Sequence, residues 1–419
     1  MHPCIRICTC VWMLSAPIVF AAPPDTPLTL SQAVVRVLES NPQLHAAEFD
    51  TRAAVDRIRQ QGQSTPYELG VEMENFAGSG SASGTRGLDT TLSLGRVLET
   101  GEKPQRRSAV AQLEAGLLRH DQDAQRLDLL AETARRFLAL ARAQAEREFA
   151  LQRLGLTQQT LDAVKQRYRI GKAPAAEHNR MQIEMARAEL ALEETDHLLN
   201  NGRRQLAVMW GAYEPGFETV QAEILHLDTE PELASLDQTI ERNPAIARLA
   251  TQARLAEARL LLTRTRARPD LDLRAGIRHA NDTDDVGLVL SLRMPLGSAG
   301  RASAYADEAE SLAAREPLLA QDRKLRLRTT LYALHQKLLH ARDSFETYQD
   351  RIIPAAGQAL ADYRQGYAVG RYSLLELSAA QDTLLDARLE LLSAATDHHA
   401  ARIEIDRLVG AAPVNGVSP

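Results

Sequence analysis

Four short stretches of this chain alternate apolar and polar residues at a period of two. After Pro66, Tyr67, Leu69, Val71 and Met73 alternate with Glu68, Gly70, Glu72 and Glu74. A Gly/Ser loop follows, then Leu88, Thr90, Leu92 and Leu94 alternate with Asp89, Thr91, Ser93 and Gly95. The pattern returns after Pro269, with Leu271, Leu273, Ala275 and Ile277 against Asp270, Asp272 and Arg274. Beyond a polar turn, Val286, Leu288, Leu290, Leu292 and Met294 fall on one face. Alternate side chains of a strand point to opposite faces, so the pattern predicts two hairpins, at about 66–96 and 269–295, each apolar on one side only. Strands of about ten residues with this alternation have the dimensions of transmembrane β-strands, lipid outside and water inside. The alternative is an amphipathic hairpin resting on helices. On the membrane reading, Glu68, Glu72, Glu74, Asp270 and Asp272 face a lumen, and a negative lumen favours cations.

Between and after the hairpins the period is helical. Gln105 to Ala173 contains no proline and predicts about 100 Å of helix, with a break expected at Gly155. In the second half Arg301 to Val369 runs out, with breaks expected at Pro317 and Pro354. Helices ending near Gly211 and Gly410 return. The last shows a heptad seam of alternating large and small residues: Leu377, Ala380, Leu384, Ala387, Leu391, Ala394, His398, Ala401, Ile405 and Leu408. Displaced by 199 residues, His178, Met181, Met185, Ala188, Leu192, Thr195, Leu199, Gly202, Leu206 and Met209 keep the same seam less cleanly.

Other features repeat at nearly the same offset. Tyr168 to Gln182 and Tyr367 to Gln381 share Tyr, Gly, a basic residue, Glu and Gln in step, and the glycines between helical patterns predict tight reversals. Asn41-Pro42 recurs as Asn243-Pro244 after each half's opening helix, the first of which Thr29 or Ser31 is placed to cap. The chain is therefore one half duplicated: a first repeat over 22–215, a connector over 216–232 in which one short helix is expected, a second repeat over 233–411, and a tail over 412–419 expected to be disordered.

Composition agrees with long helices more than with a thick core. Aromatic residues make up 4% of the 419, and net charge is −6 with no basic block, which argues against nucleic acid as a partner. The N-terminus reads as a secretory signal over 1–21, with Arg6 followed by the apolar run Val11 to Ala22. Cys4, Cys8 and Cys10 all lie inside it, so the mature chain would hold no thiol. No later apolar run reaches the ~18 residues of a membrane helix. Four strands cannot enclose a lumen, and open strand edges in lipid leave backbone groups unpaired. Membrane-spanning strands therefore require several copies in one barrel, and three copies supply twelve strands.

Catalytic signatures are absent: there is no GxSxG, Walker loop, HExxH or CxxC, and nothing predicts a cofactor. His398 and His399 point about 100° apart on a helix, a poor arrangement for one ion. His279, Asp282, Asp284 and Asp285 cluster in the second hairpin turn and read as a solvated loop.

With these residues in view the chain resembles the TolC-type outer-membrane factor family over nearly its whole mature length. The duplicated plan, the Asn-Pro after each opening helix and the Y-x-x-G reversals with a downstream Gln carry the resemblance. Glu74 to Gly80 (ENFAGSG) and Thr90 to Lys103 (TTLSLGRVLETGEK) are similar to the branch serving heavy-metal efflux of the cobalt–zinc–cadmium or copper type. The resemblance implies a mainly α fold with a small β-barrel part: internally duplicated helical hairpins forming a coiled-coil tunnel, plus four transmembrane strands per protomer in a trimer with a 12-stranded barrel. It implies the outer membrane of a Gram-negative bacterium as location. The implied partners are outer-membrane lipid, a periplasmic adaptor and an inner-membrane RND pump. It also implies that Gly171, Lys172, Gly370 and Arg371 are periplasmic tips meeting the adaptor, and that Glu376, with Glu177 as its repeat partner, lines the closed end as a gate. The chain departs from relatives in having no apparent lipid-attachment cysteine and in Gly95-Arg96, where relatives tend to carry a polar residue and then Pro. The implied function is passive export of divalent metal cations. The alternatives are the same channel serving drug efflux or type I secretion, and a soluble periplasmic coiled-coil scaffold.

Overall fold

The computed structural model of the protein describes residues 27–412. The expected signal over 1–21 and all but the first residue of the expected tail lie outside the described residues. The chain opens with α1 (Leu30–Ser40), capped by Thr29, whose hydroxyl accepts from the Gln32 N–H while the Gln32 side chain accepts from the Thr29 N–H. Ser31 lies inside α1, so Thr29 is the cap. Asn41 then interrupts the helix and starts α2 (Pro42–Gly62): its side-chain oxygen accepts from the N–H groups of Gln43 and Leu44. After β1 (Tyr67–Glu74) and β2 (Asp89–Leu98) comes α3 (Lys103–Arg169), which turns into α4 (Ala175–Ala207).

The second half repeats this order with α5 (Leu233–Thr239), α6 (Pro244–Arg264), β3 (Leu271–Ala280), β4 (Asp285–Arg293), α7 (Ser298–Thr347), α8 (Ile353–Ala368) and α9 (Leu374–Val409). The Asn-Pro breaks do the same work in both halves. The Asn41 side chain donates to the Met209 carbonyl at 2.7 Å, and that of Asn243 donates to the Leu408 carbonyl at 2.6 Å. Each asparagine thus caps one helix and ties it to the far end of the returning helix of its own repeat. Both are buried, so these bonds are made away from water.

α3 spans 67 residues without interruption, about 100 Å at ~1.5 Å per residue. The break expected at Gly155 does not occur. A Cβ there would meet nothing within 4 Å, so this glycine costs only its poor helix propensity, about 1 kcal/mol. Pro317 likewise lies inside α7 without ending it, whereas Pro354 follows a single π turn, Tyr348–Ile352, that separates α7 from α8. Proline lacks an N–H and crowds the carbonyl four residues back, and the wider π turn relieves both. The short helix expected in the connector does not form: 211–232 runs through bends and turns, one closed by the His226 N–H on the Glu223 carbonyl. Leu28 and Val220 form a parallel bridge there, and the Gln144 amide donates to the Val220 carbonyl while accepting its N–H.

The largest core lies half-way along α3, where Phe137, Leu140, Trp210, Phe217, Val220 and Ile403 meet α1 and the connector. A second core joins α5 and α6 to α7 and α9 through Ile240, Ile246, Leu331, Leu338 and Ile405. All ten predicted seam residues of α9 are buried. On α4 only Met181, Ala188, Leu199, Leu206 and Met209 of the matching ten are buried, and Ile183, Leu190 and Leu198 are exposed. α9 sits among α3, α7 and α8, while α4 packs chiefly on α3.

The two hairpins join into one antiparallel sheet of order β1-β2-β3-β4, so strands far apart in sequence pair along β2 and β3. The register stacks Leu69, Leu94, Ala275 and Leu290 in one row across the sheet, and Val71, Leu92, Ile277 and Leu288 in the next. These large side chains are exposed, Leu288 by 90% and Leu290 by 82%. The outer edges of β1 and β4 have no strand beside them among the described residues.

Candidate functional site

Two places gather the residues singled out from sequence: the helical tips and the polar face of the sheet. Each tip begins with a glycine in the left-handed region, Gly171 at φ +71° and Gly370 at φ +82°. The N–H of Lys172 donates back to the Arg167 carbonyl at 2.8 Å, and that of Arg371 to the Gly366 carbonyl at 2.8 Å. These matched bonds close helices α3 and α8 in the same Schellman-type manner. No atom lies within 4 Å of a Cβ built on either glycine, so the backbone conformation, not space, demands glycine. Lys172 and Arg371 are exposed, and neither has an ion pair among the described residues.

Glu376 stands on the first turn of α9 and is exposed. Its carboxylate accepts from the N–H and the hydroxyl of Ser373, both at 2.8 Å, completing a capping box. The Ser373 N–H, and then its hydroxyl, hold this carboxyl below the usual range, so it stays ionised at neutral pH. Glu177, on the first turn of α4, is half-buried and faces the other hairpin: the Tyr367 hydroxyl lies 3.4 Å from its carboxylate. Tyr367 is buried, and burial followed by the Glu177 charge raises its phenol above the ordinary value. Arg167 completes the group. It donates to the Tyr367 carbonyl at 2.5 Å, and its guanidinium lies 4.6 Å from the Tyr367 ring centre.

The tips are thus alike in backbone and unlike in side-chain setting. Tyr168, the repeat partner of Tyr367, is exposed and stacks on His178 at 5.3 Å. Gln381 is buried and donates to the Thr160 hydroxyl at 2.9 Å, whereas Gln182 is exposed. Arg167 was not singled out from sequence. The available signal was a departure from the repeat, because Arg167 aligns with Gly366. That glycine has its own reason: a Cβ there would lie 2.2 Å from the Tyr372 ring.

On the sheet, Glu68, Glu72, Glu74 and Asp272 share the face opposite the leucines, but they are not an unopposed negative strip. Arg274 donates to Glu68 at 3.1 Å and to Asp272 at 3.2 Å. Arg278 donates to Glu74 at 2.8 Å and to the Thr91 hydroxyl at 3.0 Å. Arg293 lies 3.9 Å from Asp272. The register explains the first pair, since β2 puts only Gly95 between Glu68 and Arg274; Arg278 shares its row with Thr91 and Glu72 and reaches diagonally to Glu74. Gly95 leaves room for the arginine: a Cβ there would lie 2.6 Å from Arg274 Cγ. Glu72 has no ion pair among the described residues. Asp270 precedes β3 and braces the junction with α3, accepting from the Thr100 N–H at 2.9 Å and from Lys103 Nζ at 2.6 Å. The simple expectation of a negative strip is therefore replaced by a mixed-charge face.

His398 and His399 diverge as expected. Their rings lie 5.7 Å apart at right angles, and His399 pairs with the Ile224 carbonyl at 3.0 Å. His398 is buried 3.4 Å from Glu230 without hydrogen-bond alignment. His279 lies 3.8 Å from Asp284 in the second hairpin turn. No group of three or more His, Cys, Asp or Glu among the described residues is arranged to hold a metal ion. No helix of the described residues is long and apolar enough to cross a membrane.

Comparison with known proteins agrees with this architecture. The sequence pattern of the outer membrane efflux protein family matches residues 33–212 and again 235–411. The cobalt-zinc-cadmium resistance protein CzcC of Cupriavidus metallidurans is 25% identical over 394 residues, covering 94% of this chain and 92% of that protein. The crystal structure of CusC superposes with a TM-score of 0.77 at 19% identity, covering 91% of this chain and 92% of that one. The outer membrane protein VceC of Vibrio cholerae superposes with a TM-score of 0.74 at 18% identity, covering 91% and 96%. This chain belongs to the outer membrane efflux protein family, whose members are channels and not enzymes.

Proposed function

We propose that three copies of this chain form a passive conduit exporting divalent heavy-metal cations across the periplasm and outer membrane, driven by an inner-membrane RND pump through a periplasmic adaptor. The observation that carries the reading is the four-stranded sheet: one face of exposed leucines, one of paired charges, and two edges with no strand beside them among the described residues, joined to α3, about 100 Å long. An open sheet in lipid leaves its edge N–H and C=O groups unpaired at several kcal/mol each, so the edges must close on another copy. An even number of strands per copy makes β4 of one protomer antiparallel to β1 of the next, and three copies give a twelve-stranded antiparallel barrel.

In this assembly the mixed-charge face lines the lumen and the six helical tips ring the periplasmic end. Glu376 and Glu177 supply carboxylates there, and like charges at close range favour counter-cations. Lys172 and Arg371, without ion pairs among the described residues, lie at the tips, where they suit an adaptor with acidic contacts. Metal as cargo is supported by CzcC, a relative named for cobalt, zinc and cadmium resistance. The test is growth of a strain lacking this gene on graded cobalt, zinc and cadmium. Metal sensitivity is expected, with tolerance restored by the chain only together with its adaptor and pump. Unchanged metal tolerance combined with sensitivity to organic drugs would replace the cargo assignment.

A further inference from the structure

The register leaves one charge on the apolar face of the sheet. Arg96 stands between Leu94 and Leu98 on β2, in the row Tyr67, Arg96, Leu273, Leu292. Its neighbours on that face are exposed: Tyr67 by 68%, Leu94 by 54% and Leu292 by 65%. The arginines of the opposite face all have carboxylate partners, whereas Arg96 has none among the described residues. Its Nε donates to the Thr65 carbonyl at 3.1 Å, and its Cζ lies 5.0 Å from the Tyr67 ring centre. These two contacts orient the guanidinium and leave its Nη groups free of hydrogen bonds to the described residues.

An arginine on a lipid-facing strand is strongly disfavoured at the bilayer midplane and nearly tolerated near the interface. Arg96 stands one row from the helix-side end of the apolar face, with only the Leu98–Leu271 row beyond it, so its side chain reaches the headgroup level by snorkelling a short way. The anionic group at that depth is the phosphodiester of a glycerophospholipid, whose oxygens match the guanidinium fork. We propose that Arg96 and Tyr67 form a phospholipid site on the outside of the barrel at its helix-side rim, taking the headgroup phosphodiester on Arg96 and the acyl chains along Leu69, Leu94 and Leu290. The site rests on the reading of the sheet as part of a membrane barrel and occurs once per protomer.

The test is native mass spectrometry of the full-length protein extracted from outer membranes, incubated with phosphatidylglycerol, with diacylglycerol, or with inorganic phosphate. Wild type is expected to retain phosphatidylglycerol but not diacylglycerol, and inorganic phosphate is expected not to displace it. Arg96→Gln should weaken retention about tenfold, the loss of a charge-assisted hydrogen bond. Arg96→Lys keeps the charge without the fork, retains the fold if Arg96→Gln does not, and should bind more weakly than wild type. Tyr67→Phe keeps the ring and should bind as wild type. Equal retention by wild type and both Arg96 variants would overturn the site while leaving the barrel intact. Displacement by inorganic phosphate would make it a free-anion site and overturn the lipid assignment. Recovery of wild type as a lipid-free soluble protein would overturn the barrel and the site together.

Discussion

Leu288→Arg separates a membrane sheet from a soluble one by the sign of its effect. Leu288 is 90% exposed in the middle of β4, in the row with Val71, Leu92 and Ile277. In water, replacing an exposed leucine by arginine leaves stability within about 0.5 kcal/mol or improves solubility. In a bilayer the same change puts a cation near the midplane of the lipid face and costs about 2–4 kcal/mol per protomer. Three symmetry-related copies raise that to about 6–12 kcal/mol per trimer, enough to abolish assembly. Val289→Arg is the internal control. Val289 lies opposite Gly276 on the other face, so its arginine enters the aqueous lumen and should be tolerated. The assay is urea unfolding in lipid vesicles, followed by heat-modifiable electrophoretic mobility, with outer-membrane yield measured in parallel. A Leu288→Arg protein as stable and as abundant as the Val289→Arg protein would refute the barrel reasoning.

Three further predictions follow from the helical part. Asn41→Ala and Asn243→Ala each remove a helix cap and orphan a buried carbonyl at Met209 or Leu408, and each should cost about 2–4 kcal/mol, read as a lowered Tm of the solubilised protein. Glu376→Gln together with Glu177→Gln should reduce cation over anion selectivity in planar-bilayer conductance; unchanged selectivity would remove both from the gate. Burial, and then the neighbouring His399, hold the His398 imidazole below its ordinary value of 6.5. The folded state therefore resists protonation that the unfolded state accepts, so stability is full above about pH 6.5 and falls as the pH drops below it. His398→Gln should flatten that part of the stability profile, and an unchanged slope would assign it to other groups.

What was legible in the sequence is what local periodicity carries. The four strands were visible because alternation at a period of two needs no knowledge of the partner strand. The α9 seam was visible for the same reason at a period of 3.5, and the glycine reversals because a left-handed residue between two helical runs has few other uses. Pairings across the duplication were hidden. Arg274 meets Glu68 and Arg278 meets Glu74 only because β2 lies between β1 and β3, a register no local pattern states. The mixed-charge face therefore read as acidic. Tyr168 and Tyr367 looked equivalent, yet the packing of α8 and α9 against α3 buries one and leaves the other exposed. Breaks at Gly155 and Pro317 failed because a helix held by neighbours tolerates the loss of one bond or about 1 kcal/mol of propensity.

Single-particle electron microscopy of the full-length protein in lipid nanodiscs tests the central claim most directly. The account predicts a three-fold particle in which β4 of each protomer pairs with β1 of the next, closing twelve strands inside the lipid, with six helical tips at the far end. A sheet whose β1 and β4 edges remain open, or which lies outside the lipid, would contradict it.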